Sequence, residues 1–307
     1  MNFAHLHIVL NHVPSIGMVV GVVLFIASLV KKIDQLKKFS LEVFVVMALV
    51  ALPTYMSGNA AQQILRNRSE IPKGLIEAHQ NSAMVTLIFL TITATFAWFG
   101  LWQFRRFSSP GSWNSTAVLI FSIVTAGFIL RTANMGGDIS HPEIRSGEGV
   151  TVSEDIGWRK PVERFSNDQS WVWPACETIH FIGMSLLFGV TLLLFLRMMG
   201  MMKSIPFAAL HRLLPLGILG FVLNVISGMI FFISSPGMYV NNPGFSAKIV
   251  FLLLAGFCVI YFTVFDKAWA VGPDKDAPLT AKIIAVGFMT SLLGVMYFGR
   301  MLPFLRQ

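Results

Sequence analysis

Eight long, unbroken apolar blocks restrict what this chain can become more than any other feature. They run approximately over 9–30, 41–58, 79–101, 114–133, 175–197, 209–233, 247–265 and 282–300. A helix needs roughly 20 apolar residues to cross a hydrocarbon layer of about 30 Å. Inside that layer every backbone N–H and C=O must be satisfied without water, so only helices and closed barrels span it. Barrel strands alternate between lipid and lumen, whereas these blocks are apolar throughout, which selects helices. Composition agrees: 55% of the residues are hydrophobic and 12% charged, against roughly 25% charged in a soluble domain. The expectation is an all-α, polytopic integral membrane protein of about eight transmembrane helices. Pro215, Gly217 and Gly220 fall inside a block, and membrane helices tolerate both residue types. No basic residue precedes the first block, and Lys31 and Lys32 follow it where a cleavage site would need small residues. That pattern reads as a retained first helix, not a secretory signal.

The net charge of +8 would suggest nucleic acid only if it were gathered on a domain. Here many of the basic residues sit in short loops beside the apolar blocks, where they set topology, and five lie in or beside the long segment 134–172. Nucleic acid is therefore excluded as a partner, and the lipid bilayer is the principal one. Lys31, Lys32, Lys37 and Lys38 between the first two blocks place that loop in the cytoplasm. Alternation then puts Arg105-Arg106, Arg197 with Lys203 and Arg212, and Lys267 with Lys275 on the same side. Both termini, the loop near Arg66 and the long segment 134–172 face the periplasm of a bacterial inner membrane. The chain divides into an N-terminal four-helix half (1–133), an outer connecting loop (134–172) and a C-terminal four-helix half (173–307). Trp171 and Trp173 suit an interfacial aromatic belt.

Histidines are distributed unevenly. His5, His7, His12, His79, His141 and His180 all belong to the outer side, and His211 alone lies near the inner face. His12, His79 and His180 each sit a few residues inside a helix start, at a depth of roughly 6–10 Å at 1.5 Å per residue. Ionisable groups at such depth face the bundle interior and mark sites. Imidazole serves as an axial ligand of haem iron and as a ligand of copper or zinc. These three are the candidate metal ligands, with His7 and His141 as further cofactor-binding candidates. Glu177 lies three residues before His180, on the same helical face, where it would orient the imidazole or meet a quinol hydroxyl. The competing reading is a helix-start carboxylate favoured by the dipole. Lys248 reads either as a propionate partner or as a snorkelling side chain. Gly136-Gly137 after the fourth block reads as a turn or helix stop. Met198, Met199, Met201 and Met202 cluster away from the outer histidines and read as apolar filler.

Cys176 and Cys258 form no CxxC or CxxCH, which argues against covalent haem of the c type and against a zinc ribbon. No GxSxG, P-loop or HExxH pattern occurs, so hydrolase and ATPase chemistry have no sequence support.

His7-Ile-Val-Leu-Asn-His12-Val-Pro14 resembles the opening of an uncharacterised bacterial membrane family with an HPxxVHFP signature. That family also has a histidine near the outer end of its third helix, as His79 is here, and a glycine pair after its fourth. Ile8 and Val13 depart from the signature. The C-terminal half is similar to a second uncharacterised membrane family, related distantly to the copper-resistance-D and cytochrome-b-like superfamily. The matching stretches are Glu177-Thr-Ile-His180, Leu196-Arg197-Met-Met-Gly200, Pro215, Gly220-Phe221, Ser227-Gly228 and Asn242-Pro243-Gly-Phe245-Ser-Ala-Lys248. The combined resemblance implies that His12, His79, Glu177, His180 and Lys248 are positions of interest.

The leading expectation is a haem b-binding electron-transfer subunit, with one or two haems, rather than a stand-alone enzyme. It would link membrane quinone to a periplasmic redox protein or to other subunits of a membrane complex. A copper or other metal transporter, and a cofactor-free membrane anchor, are the alternatives.

Overall fold

The computed structural model describes residues 3–65, 72–140, 159–235, 238–239, 242–265 and 268–305. Among these residues the secondary structure is helical, without strands. Eight helices are long and apolar enough to cross a membrane: Leu6–Lys31, Asp34–Gln62, Lys73–Phe107, Ser112–Ile139, Val172–Met198, Phe207–Ser234, Pro243–Val264 and Leu279–Met301. The protein is thus an all-α polytopic membrane protein. All eight expected blocks lie within these helices or overlap them, and most of the helices run several residues beyond the apolar block. Hydropathy registers only the lipid-facing stretch, while the hydrogen-bond ladder continues into polar ends.

The chain separates into two compact units, Met1–Arg159 and Lys160–Gln307. The first contains α1 (Phe3–Leu10), α2 (His12–Lys31), α3 (Asp34–Leu65), α4 (Lys73–Phe107) and α5 (Ser112–Ser140). Helices α2 to α5 form a closed ring, each packed on the next and α5 on α2, while α1 lies against α3. Its core holds Met18, Phe25, Leu41, Phe44, Leu90, Ala97 and Val118, all buried. Phe25 meets Phe44 edge-on at 6.1 Å. A Cβ on Gly21 would come within 2.6 Å of the Phe44 ring, so the missing side chain is what lets α2 approach α3. Buried polar groups are paired between helices, as where Thr93 and Thr125 hydroxyls meet at 2.9 Å. In lipid, packing and such bonds hold helices together, because the hydrophobic effect no longer drives them together.

In the second unit a short helix, α6 (Arg159–Asp168), precedes α7 (Val172–Met198). Then come α8 (Phe207–His211), α9 (Leu214–Ser234), α10 (Pro243–Val264) and α11 (Leu279–Met301). The long helices pack in the order α9, α7, α11, α10. α7 and α9 cross where Gly183 meets Gly220. A Cβ on either glycine would lie 2.6–2.8 Å from the other's carbonyl oxygen, so backbone touches backbone there. α10 begins at a cap: the Asn242 side chain accepts from Gly244 N–H at 2.8 Å and donates to the Leu302 carbonyl at 2.8 Å. That one residue ties the start of α10 to the end of α11.

At the opposite end of this unit Arg197 is wholly buried. Its Nε donates to the Ile205 carbonyl at 2.7 Å, and Nη2 to the carbonyls of Gly272 and Lys275 at 3.3 and 3.2 Å. The guanidinium carbon stands 4.3 Å from the Phe207 ring centre. One side chain therefore fastens both loops at this end. His211 belongs to the same end, its ring edge-on to Trp269 at 4.9 Å. Lys203 and Lys282 flank Asp276 at 3.1 and 3.8 Å.

Two boundaries differ from the sequence reading. Gly136 and Gly137 do not stop α5, which continues through them to Ser140. Two glycines weaken a helix without ending it when neighbouring turns hold it. The segment expected as an outer loop over 134–172 is partly helical, containing the end of α5 and all of α6. α6 is anchored within its unit by a Ser234–Ser166 hydroxyl bond of 2.6 Å and by Asn167 donating to the Ser234 carbonyl at 3.4 Å.

Candidate functional site

The helix ends of the first unit that carry its histidines enclose a polar cluster inside apolar surroundings. His7 lies on α1 and faces α3, where its Nδ1 is 2.9 Å from the Thr54 carbonyl. His79 lies on α4 and faces α5, its Nδ1 3.1 Å from the Thr132 carbonyl. A carbonyl oxygen can only accept, so in both rings Nδ1 carries the proton and Nε2 keeps its lone pair. Both are partly buried.

Small residues make room for both rings. A Cβ at Gly58 would fall 2.9 Å from His7 Cε1, and one at Gly136 would fall 3.2 Å from His79 Cε1. The second contact explains the glycine at 136 better than a turn does. Thr132, whose carbonyl holds His79, is itself fixed through its hydroxyl by Ser82 at 2.7 Å and Thr86 at 2.9 Å. Beside the pair, Gln80 donates to Asn59 Oδ1 at 3.1 Å and bridges α4 to α3. Three further atoms, Asn59 Nδ2, Gln62 Nε2 and Asn11 Oδ1, are buried without a hydrogen-bond partner among the described residues. Buried amide groups without partners cost free energy in any apolar medium.

The sequence candidates fare differently. His12 points to the exposed side of α2, whereas His7, five residues earlier, turns inward. Asn11 keeps helical dihedrals between α1 and α2 and its N–H donates to the His7 carbonyl at 2.9 Å, so five residues at about 100° each place the two side chains roughly 140° apart, and they cannot both reach one site. His141 lies outside the described residues, and of His5 only the backbone is described. His180 belongs to the second unit. Its Nδ1 lies 2.8 Å from Ser227 Oγ, and its ring is 5.7 Å from that of Phe231. Glu177 is exposed and accepts the Trp173 indole N–H at 3.0 Å, so it is engaged with a neighbour on its own helix. Lys248 rests against Gly299, its Nζ 3.4 Å from where a Cβ there would lie. Among the described residues no three His, Cys, Asp or Glu side chains gather as a metal-ion site.

Residues that sequence reasoning passed over include Asn59, Gln80, Ser82 and Thr132. Their signal was available, since the last three are polar residues inside an otherwise apolar block and Asn59 directly follows one. No protein-family model matches the chain, and no curated protein or solved structure matches it either.

Proposed function

We propose that the protein is a b-type haem-binding electron-transfer subunit of a bacterial inner membrane, with haem held in the first unit by His7 and His79. One observation carries this reading: two imidazoles on different helices of the first unit both commit Nδ1 to a backbone carbonyl, and neither Nε2 has a hydrogen-bond partner among the described residues. A hydrogen bond at the far nitrogen is the usual support of a metal-ligating histidine, fixing its tautomer and raising its basicity. The donor set suits the group. Two neutral imidazoles are the ligands a low-spin b-type haem takes, and glycines at 58 and 136 let the two rings lie close against α3 and α5.

When bound, such a haem supplies reversible one-electron exchange. The chain's own residues do the rest. Thr54 and Thr132 hold the ring planes, and Ser82 and Thr86 hold Thr132 in turn. Asn59 Nδ2 and Gln62 Nε2 offer donors to an acidic edge of the ligand. The ring of four helices keeps bulk water away, which lowers the dielectric and tunes the potential. The basic loop Lys31–Lys38 puts the His7–His79 end on the periplasmic side by the positive-inside rule. From there electrons would pass between membrane quinone and a periplasmic redox partner.

The test is a dithionite-reduced minus oxidised visible spectrum of the detergent-purified protein. A sharp b-type α-band with near-stoichiometric haem is expected. A featureless spectrum from protein expressed with ample haem supply refutes the reading.

A further inference from the structure

The short helix α6 and the start of α7 carry an aromatic pair that neither the histidine cluster nor the packing of the long helices uses. Phe165 is 55% exposed and Trp171 59% exposed, and their rings meet edge-on at 5.9 Å. On one continuous helix six residues would set these positions about 9 Å apart along the axis and roughly 120° apart around it, too far for the rings to touch. They touch because the helix is interrupted between Asp168 and Val172, so α6 bends away from the axis of α7.

α6 is two-sided. At 3.6 residues per turn, Val162, Phe165 and Ser166 fall within an arc of about 100°, and Glu163, Arg164, Asn167 and Asp168 fill the opposite side. The first arc meets the protein at Ser166, which is buried and bonded to the buried Ser234 hydroxyl at 2.6 Å. Ser234 ends α9, so α6 rests on the end of the unit at which α7 begins. Phe165, one step round from Ser166, stands beside that contact and outside it, while Arg164 and Asp168 are exposed on the polar side.

The chemistry that surrounds the aromatic pair follows from α7. Trp171 keeps helical dihedrals, so Thr178 and Ile182, seven and eleven residues later, lie within about 20° of it around the axis. Both are exposed, Ile182 at 52%, and they belong to the membrane-spanning helix Val172–Met198, where an exposed apolar face meets lipid. Trp171 therefore tops the lipid-facing stripe of α7. Trp173, by contrast, turns inward and packs on Phe231 at 4.8 Å. Aromatic rings at the end of such a stripe sit at head-group level, and a helix with one apolar side at that level lies in the plane of the interface.

We infer that α6 is a membrane-surface helix: it lies in the head-group layer of the leaflet where α7 begins, with Phe165 and Trp171 inserted among the upper acyl chains and Arg164 and Asp168 turned to water. Its partner is the lipid surface, and the contact is independent of any haem in the first unit.

The test is the collision accessibility of nitroxide labels on the full-length protein in nanodiscs of phosphatidylethanolamine and phosphatidylglycerol. Labels are introduced by Phe165→Cys, Arg164→Cys and Ile182→Cys, each in a Cys176→Ala, Cys258→Ala background. At Phe165→Cys, as at Ile182→Cys, oxygen is expected to collide several-fold more effectively than the water-soluble nickel reagent NiEDDA, with the order reversed at Arg164→Cys. An aqueous pattern at Phe165→Cys, or a lipid pattern at Arg164→Cys, overturns the inference. Low access of both reagents at Phe165→Cys overturns it too, and means that a protein surface covers the ring. A second measurement keeps the native cysteines, in case their replacement unfolds the chain. Quenching of tryptophan emission by brominated phospholipid, compared between the wild type and Trp171→Phe, isolates Trp171. Lipid brominated near the head group should quench it more than lipid brominated near the chain ends. Absence of quenching at Trp171, or stronger quenching from the chain ends, overturns the inference.

Discussion

Replacing Arg197 by Met should cost the second unit about 3 kcal/mol, and the reasoning can be followed bond by bond. The substitution removes a short charge-assisted bond to Ile205 at 2.7 Å and two longer ones to Gly272 and Lys275 at 3.3 and 3.2 Å. A hydrogen bond to a charged group contributes roughly 1.5–3 kcal/mol net; the short bond belongs in the upper part of that range and the long ones at or below its floor. Loss of the stacked contact with Phe207, 4.3 Å away, adds about 1–2 kcal/mol in a desolvated setting. Those bond figures are already net of desolvation, so what stands against them is Nη1, which has no partner among the described residues and costs about 1–3 kcal/mol. The difference is about 3 kcal/mol, within the range seen when one partner of a buried ionic contact is removed. Arg197→Lys should fall between the two, because an ammonium keeps the charge but cannot span three carbonyls in one plane. The assay is reversible denaturant unfolding in mixed micelles, followed by tryptophan fluorescence. Trp269 reports on the loop itself, since its indole donates to the Phe262 carbonyl at 2.7 Å. Unfolding of Arg197→Met within about 0.5 kcal/mol of the wild type, the usual scatter of neutral surface substitutions, would refute the latch.

Gly58→Val should drive the His7 imidazole off Thr54, because even a Cβ would stand 2.9 Å from Cε1; haem content per protein is expected to fall several-fold. Gly137→Ala is the control, having nothing within 4 Å of its added Cβ, and should leave haem content unchanged. Asp276 should give the loop end a small acid-sensitive step. The bond from Lys203 holds this carboxyl below the usual carboxylate range, with the nearby charges of Lys203, Lys282 and Arg197 adding to it. A depressed folded value means the contribution is present above the unfolded pKa of about 3.9 and is lost as pH falls through the folded value. Melting temperature measured from neutral to strongly acid pH should lose that step in Asp276→Asn, and added salt should shrink it in the wild type, as for any exposed pair.

How much of this was legible beforehand differs from element to element. The spans were, since eight blocks of continuous apolar residues have no other use in a chain with so few charges. Their polar extensions were not, because the helix at Lys73–Phe107 reaches well past its apolar stretch at both ends. The histidine depth could be read from sequence, and so could the candidacy of His79. The choice between His7 and His12 turns on helix rotation. Their five-residue spacing already forbids a shared face, but which face α1 turns to α3 depends on the packing of Gly58. The Glu177–His180 spacing was correctly read as one helical face, yet proximity along a helix did not make them partners: Trp173, four residues before Glu177, and Ser227, on another helix, took their places. Gly136-Gly137 was misread as a stop because the local rule for glycine carries no information about an imidazole waiting on the neighbouring helix.

The central claim is that His7 and His79, rather than any other histidines, hold the proposed haem. Reduced minus oxidised spectra of His7→Ala, His79→Ala, His12→Ala and His180→Ala, purified in parallel and normalised to protein, test it most directly. The account predicts loss of the b-type band in His7→Ala and His79→Ala, and bands of wild-type intensity in His12→Ala and His180→Ala. A full band in His7→Ala or His79→Ala, or its loss in His12→Ala or His180→Ala, would contradict it.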